Sequence, residues 1–120
     1  MAAGLLGTWS ATRWQYLSRH HDTHAVDLVC DLRGAVTLSL SPGTFILSWD
    51  IPGHGSRTVG GQYVVRERAI EFASSAKDVS DAVWYRLGVD ELSLQSEESA
   101  WDFGDGAEEL ALFVAVFVRI

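Results

Sequence analysis

The sequence VTLSLSPGTFILSWDI, residues 36–51, contains two limbs in which apolar and polar residues alternate, joined by Pro42-Gly43. The apolar positions of the first limb are Val36, Leu38 and Leu40. Those of the second limb are Phe45, Leu47, Trp49 and Ile51. Alternation with period two is typical of a strand buried on one face, and Pro-Gly provides a fixed φ followed by a residue that accepts a positive φ. The stretch therefore predicts a β-hairpin.

The same pattern continues along the chain and is interrupted by short turn signals. Further strands are predicted over residues 5–16, 25–32, 57–68, 69–74, 83–87, 92–94 and 110–118. Residues 74–81 are read as either a helix or a polar connection. The terminal run has a helical alternative, but its valines and phenylalanines favour a strand. No repeat or linker divides the chain, so we expect one domain over residues 1–120.

Eight to ten short strands are compatible with a sandwich or a barrel. Closure into a barrel leaves no edge strand exposed, which favours the barrel in a small chain. The sequence therefore predicts an all-β fold, an antiparallel up-and-down barrel of 8 to 10 short strands. An eight-stranded barrel has an interior that is either filled by side chains or holds one small ligand.

The net charge of the 120 residues is −7, and it is unevenly distributed. Residues 78–120 contain ten Asp and Glu against two Arg, while residues 1–77 carry a charge of about +1. Without a basic stripe, we expect no nucleic-acid partner and no anionic membrane partner. The apolar N-terminus is too short for a signal segment, and Cys30 is the single cysteine, so we expect a cytoplasmic protein. No cofactor is expected.

Two features at the ends of the chain resemble a known family. Gly7-Thr8-Trp9 begins the first predicted strand, and Arg119 ends the last. These residues resemble the lipocalin-like (calycin) β-barrels, here a short bacterial-type member, and the same ends are similar to avidin and fatty-acid-binding proteins. The resemblance implies that the Arg119 guanidinium stacks on the Trp9 indole and closes the barrel bottom.

A small hydrophobic or aromatic molecule is the expected ligand. The chain has a set of large aromatic residues that suit an apolar pocket and also offer N–H or O–H groups: Trp14, Tyr16, Trp49, Tyr63, Trp84, Tyr85 and Trp101. Alternation predicts an inward, ligand-binding set of Leu38, Phe45, Leu47, Trp49, Tyr63, Phe72 and Tyr85. Trp84 and Arg86 are expected on the outer face. Ordinary core filling, with the barrel as a ligand-free interaction module, is the alternative.

A second alternative is a small barrel enzyme, an isomerase, cyclase or hydrolase, although no motif identifies a reaction. Residues 20–24, HHDTH, place His20, His21 and His24 between the first two strands, where they are candidate metal ligands or an acid/base group at the barrel mouth. His54 is a candidate fourth ligand from another loop. A solvated loop that binds no metal is the interpretation we prefer, and no catalytic residue is assigned.

Other features are interpreted as structural. Cys30 is expected to be a buried small hydrophobe, and Gly60-Gly61 a bulge or bend. A solvated acidic rim is expected from Glu97, Glu98, Asp102, Asp105, Glu108 and Glu109. Because the last strand is apolar on both faces, we predict a homodimer through residues 110–118, with an outer face of Ala111, Phe113, Ala115 and Phe117.

Overall fold

A computed structural model describes residues 4–19, 24–74, 80–103 and 106–120. Nine strands lie in these ranges. They are β1 (Gly7–Ser18), β2 (Ala25–Asp27), β3 (Ala35–Ser41), β4 (Thr44–Ile51), β5 (Gly55–Val65), β6 (Ala69–Ser74), β7 (Ser80–Leu87), β8 (Glu91–Asp102) and β9 (Glu108–Arg119). In the described ranges, no helix is long and apolar enough to cross a membrane.

The strands form a closed antiparallel barrel. From β3 to β9 each strand pairs with the next along the chain, and β1 closes the sheet by pairing with both β3 and β9. The short β2 adds to the second half of β1, where Tyr16 is opposite Val26. Eight strands therefore form the barrel and β2 is an addition to it, which confirms the predicted all-β fold.

The predicted hairpin is β3–β4. Ser41 lies opposite Thr44, so Pro42 and Gly43 form the two-residue turn, and Gly43 has a φ of 77°. Glycine is suited to this position because it has no Cβ to clash at positive φ. The terminal run forms β9, so the strand interpretation of that segment is confirmed and the helical one is wrong.

The segment after β2 differs from the prediction. The strand predicted over residues 25–32 ends at Asp27, and residues 28–32 form turns. The backbone N–H groups of Asp31 and Leu32 both donate to the Asp27 carbonyl, which turns the chain back on itself. The expectation for Cys30 is also wrong, because it lies in this turn and is exposed.

Two bulges lie elsewhere than expected. The bulge predicted at Gly60-Gly61 is wrong, because β5 pairs with β4 there without a register shift. Register shifts occur in β1 between Ala11 and Arg13, and in β8 between Ser96 and Ser99. A bulge inserts extra residues on one strand, so the alternation of its side chains changes phase.

The sequence predicts a helix or a polar connection over residues 74–81, and the structure differs from this at the end of the segment. Ser74 ends β6, while Ser80 and Asp81 begin β7. Ser74 agrees with the strand predicted over residues 69–74, whereas Ser80 and Asp81, expected in the helix or connection, lie in a strand. Residues 75–79 lie outside the described residues.

The prediction for the two faces of β9 is wrong: the face expected outside lies inside the barrel. Ala111, Phe113, Ala115 and Phe117 are at most 5% exposed, and they belong to the barrel interior. Trp14 pairs with Ala115 in the register, which places this set on the inner face. The residues that alternate with them therefore face outward: Leu110, Leu112, Val114, Val116 and Val118.

The barrel bottom is closed as the resemblance implied. The Arg119 guanidinium carbon lies 4.2 Å from the centre of the Trp9 ring. Arg119 also donates from Nη1 to the Leu6 carbonyl at 2.8 Å and from Nη2 to the Gly4 carbonyl at 2.6 Å. Trp9 is fully buried and its Nε1–H donates to the Leu5 carbonyl at 2.9 Å. One arginine thus ties the last strand to the N-terminal segment.

Candidate functional site: the aromatic mouth of the barrel

The two ends of the barrel interior differ in their exposure to solvent. We call the end where β1 begins the bottom and the end where β1 finishes, at Ser18, the mouth. Five large side chains near the bottom are completely buried: Leu5, Trp9, Ile70, Leu92 and Phe117. Toward the mouth, Tyr16, Trp49 and Trp101 pack on the core but remain partly exposed. Solvent therefore reaches the inner wall from the mouth.

The partly exposed wall is a cluster of aromatic rings, which we call the aromatic cup: Trp14, Tyr16, Trp49, Trp101 and Phe113. Trp14 is 7% exposed and lies at the base of the cup. Its ring contacts Phe113 at a centroid distance of 4.7 Å and meets Trp49 edge-on at 6.2 Å. Tyr16 and Trp101 stack with centroids 4.5 Å apart and planes 8° from parallel.

The indole of Trp14 is also fixed by a hydrogen bond within the cup. Its Nε1–H donates to the Tyr16 hydroxyl at 3.2 Å. Below the cup, Trp14 meets Phe117 edge-on at 6.1 Å. The base of the cup is thus continuous with the packed bottom half of the barrel.

The seven residues predicted to bind ligand all belong to the core or pack directly against it. They are Leu38, Phe45, Leu47, Trp49, Tyr63, Phe72 and Tyr85. Phe45 and Tyr63 gather around Phe72, at centroid distances of 5.0 and 6.2 Å. Trp49 is the member of the predicted set that belongs to the aromatic cup. Burial raises the pKa of the Tyr63 phenol, against a smaller lowering by a hydrogen bond from the Gly43 backbone.

Trp84 and Arg86 lie on the outer face, as predicted. Trp84 is 57% exposed and Arg86 is exposed as well.

A polar group lies at the rim of the cup. Glu109 is directly opposite Trp101 in the register of β8 and β9, and its side chain is 12% exposed. Its carboxylate accepts from the Ser18 hydroxyl and lies 3.1 Å from Nδ1 of His24. The His24 ring packs on Phe103 at 5.5 Å. The expectation that Glu109 belongs to a solvated rim is wrong, whereas Glu97 and Glu108 are exposed.

The histidine cluster is only partly described. His24 interacts with Glu109, while His20 and His21 lie outside the described residues. His54 is exposed in the turn after β4. Within the described ranges, no group of three or more His, Cys, Asp or Glu side chains is placed to hold a metal ion.

A buried carboxylate supports the wall that carries Trp14. Asp27 is 6% exposed, and its Oδ1 accepts from the backbone N–H groups of Trp14, Val29 and Cys30 at 3.2, 2.9 and 3.1 Å. Burial alone would raise the pKa of Asp27, but these hydrogen bonds outweigh it and hold the pKa below 3.8. The hydrogen bond and the charge of Asp27 raise the pKa of the Cys30 thiol.

Sequence alternation did not predict the cup as a unit. In β1, counting in twos from the buried Trp9 puts Arg13 inside and Trp14 outside. The bulge after Ala11 changes the phase, so that Trp14 faces inward. The bulge in β8 has the same effect on Trp101. Composition was the signal that could have indicated the cup. Two large aromatic side chains two residues apart, Trp14 and Tyr16, share one face of the strand and are unusual on a face exposed to solvent.

Comparisons with known proteins support the fold. No protein-family model matches the chain, and no curated protein matches it. Among solved structures, it is similar to a lipocalin-like protein from Bacteroides uniformis, with a TM-score of 0.61 and 17% sequence identity. The match covers 98% of this chain and 99% of the other. The chain therefore has a lipocalin-like barrel fold, as the residues at its two ends indicated.

Proposed function

We propose that the barrel binds a small hydrophobic or aromatic molecule in the aromatic cup. The observation that carries the proposal is that Tyr16, Trp49 and Trp101 belong to the inner wall and yet remain partly accessible to solvent. In a fully packed core these large apolar surfaces are removed from water, which contributes a favourable free energy of about 25 cal/mol for each Å² buried. Ligand burial against the cup recovers that gain.

The cup offers its ligand two kinds of contact. The faces and edges of its rings suit a flat apolar group, because aromatic pairs prefer offset or edge-to-face arrangements. At the rim, Ser18, His24 and Glu109 provide hydrogen-bonding groups for a polar end of the ligand. A mostly apolar wall with a few convergent polar groups is the usual composition of a small-molecule site.

The test is titration with a panel of lipids and aromatic metabolites, followed by intrinsic fluorescence and by calorimetry. We expect at least one panel member to bind, and Trp101→Leu to weaken its affinity at least tenfold. Trp101→Leu removes an inward indole that stacks on Tyr16.

Trp84→Leu is the matched control, since it removes an indole of the outer face that is 57% exposed. Its affinity should equal that of the unchanged protein. If no panel member binds, or if both substitutions weaken binding equally, the cup is not the ligand site.

A further inference from the structure

An acidic side chain faces the aromatic cup from the wall formed by β9. Glu109 lies two residues before Ala111, which is fully buried in the barrel interior, and it is directly opposite Trp101 of the cup. The Glu109 side chain is only 12% exposed, although it carries a carboxylate. A mostly buried charge acts more strongly on a neighbouring charge than a charge in water does, because less solvent screens it. Glu109 therefore sets the charge that a ligand meets at this wall.

The contacts of Glu109 are compatible with a bound cation. Its carboxylate accepts from the Ser18 hydroxyl, which is neutral and does not offset the negative charge. His24, with Nδ1 at 3.1 Å, offsets that charge only when its ring is protonated. A carboxylate has two oxygens with about four acceptor positions between them, so an N–H group of a ligand can share these oxygens with the groups already bonded to them.

The aromatic side chains beside Glu109 favour the same kind of ligand. Tyr16 and Trp101 form a parallel stack with centroids 4.5 Å apart, and both remain partly exposed. The face of an aromatic ring is negative, so it attracts a cation that lies within about 6 Å of the ring centre. A carboxylate beside these rings thus provides both parts of a site for an organic ammonium group, an ion-pair partner and aromatic faces.

The charge of the surrounding chain has the same sign as Glu109. Residues 95–112, which form the mouth end of the β8–β9 hairpin, contain six Asp or Glu and no Lys or Arg. Arg19 of the neighbouring segment contacts this hairpin, but its Nη1 donates to the Glu97 backbone carbonyl in an exposed hydrogen bond. A wall with one sign of charge raises the local concentration of ions of the opposite sign. This hairpin therefore attracts cations to the mouth.

A cation, Arg57, lies on the inner face of the opposite wall. It is opposite Trp49 in the register of β4 and β5, so it shares the inward face of that residue. Strand β5 is four strands away from β9 in either direction around the barrel. Arg57 is exposed, whereas Glu109 is only 12% exposed. Because solvent screens the Arg57 charge more fully, Glu109 is the charge that acts most strongly on a ligand in the cup.

We propose that the ligand of the aromatic cup carries a protonated amine, which Glu109 binds while the rings hold the apolar part of the ligand. This inference rests on the proposed function, because it assigns a charge to the ligand of the same site. A neutral ligand of the same shape lacks the ion pair with Glu109, and a carboxylate in that position is repelled. The ligand class is therefore a hydrophobic or aromatic amine.

Calorimetric titration at pH 7 with three probes that share an indole ring tests the proposal. Tryptamine, tryptophol and indole-3-propionate carry an amine, a hydroxyl and a carboxylate. We expect tryptamine to bind about tenfold more tightly than tryptophol, and indole-3-propionate to bind most weakly. Equal or tighter binding of tryptophol or indole-3-propionate overturns the inference and leaves the cup as the ligand site. Absence of tryptamine binding also overturns it, and the wider panel of lipids and aromatic metabolites then decides the proposed function separately.

Glu109→Gln tests whether this residue binds the amine. The amide oxygen can still accept from Ser18, so we expect an unchanged circular dichroism spectrum, an affinity for tryptamine about tenfold lower and an unchanged affinity for tryptophol. Glu108→Gln, at the adjacent exposed residue, is the matched control and should bind all three probes as the unchanged protein does. An unchanged affinity for tryptamine in Glu109→Gln, or equal losses for tryptamine and tryptophol, overturns the inference. If Glu109→Gln does not fold, the order of the three affinities in the unchanged protein decides.

Discussion

Asp27 holds the turn behind Trp14, and its replacement should destabilise the barrel by a calculable amount. Its Oδ1 accepts three backbone N–H groups, from Trp14, Val29 and Cys30. In Asp27→Ala these donors lose their acceptor. Because water replaces the acceptor for the more exposed donors, a net loss of about 1 kcal/mol for each bond is reasonable, or about 3 kcal/mol in total. For a domain of this size that loss lowers the melting temperature by about 12 °C.

Asp27→Asn distinguishes the contribution of the Asp27 charge to stability from that of the hydrogen bonds its side chain accepts. The amide oxygen still accepts hydrogen bonds, so the expected loss at pH 7 is only about 1 kcal/mol. The pKa of Asp27 is below 3.8 in the folded protein. A carboxylate with a lowered pKa contributes stability that is fully present above pH 3.8 and is lost as the pH falls through the folded-state pKa. The side-chain amide of Asp27→Asn does not titrate. The unchanged protein and Asp27→Asn should therefore become more similar in stability as the pH falls through the folded-state pKa of Asp27.

The assay is urea unfolding of the unchanged protein, Asp27→Ala and Asp27→Asn at pH 7, 5, 4 and 3, followed by circular dichroism. Asp50→Asn, at an exposed carboxylate on β4, is the control and should differ little from the unchanged protein at any pH. The reasoning is refuted if Asp27→Ala costs less than about 1 kcal/mol at pH 7, since single unmade hydrogen bonds already reach that value. It is also refuted if the difference in free energy of unfolding between the unchanged protein and Asp27→Asn stays constant from pH 7 to pH 3.

Three further results are expected. Arg119→Lys keeps a charge but cannot both stack flat on Trp9 and donate to two carbonyls, so thermal melting should show a loss of about 2 kcal/mol, and an unchanged melting temperature would contradict the stacking role. Gly7→Ala should destabilise the barrel by at least about 1 kcal/mol in the same assay, because Gly7 has a φ of 129° and a Cβ would lie 2.9 Å from the Arg119 guanidinium. The exposed Cys30 should react fully with a thiol reagent in the folded protein, and faster at pH 7 in Asp27→Asn, since loss of the Asp27 charge lowers the raised thiol pKa; equal rates would exclude that coupling.

Local sequence pattern was sufficient where a strand is regular. The hairpin from Val36 to Ile51 followed from period-two alternation and from Pro42-Gly43, and the structure has it with the expected two-residue turn. The outward position of Trp84 followed in the same way. The inner faces of β3 and β4 were assigned correctly because the register in both is uninterrupted.

Apolar alternation failed where side-chain hydrogen bonds or strand pairing decide the local structure. Residues 28–32 have apolar members at strand spacing. The Asp27 carboxylate accepts hydrogen bonds from the backbone N–H groups of Val29 and Cys30, and the segment forms a turn. On β9 both faces are apolar, so alternation alone does not say which one is inside. The pairing of Phe113 with Tyr16 and of Ala115 with Trp14 decides it.

The sequence by itself determined an all-β barrel, the closing pair Trp9 and Arg119, and an acidic second half of the chain. These depend on local alternation, on two end motifs and on composition, none of which requires knowledge of a partner strand. The tertiary structure alone decided which aromatic residues form the cup. The bulges in β1 and β8 shift the phase of the side chains, and a bulge arises from pairing with a neighbouring strand, so its position is set by residues distant in the chain.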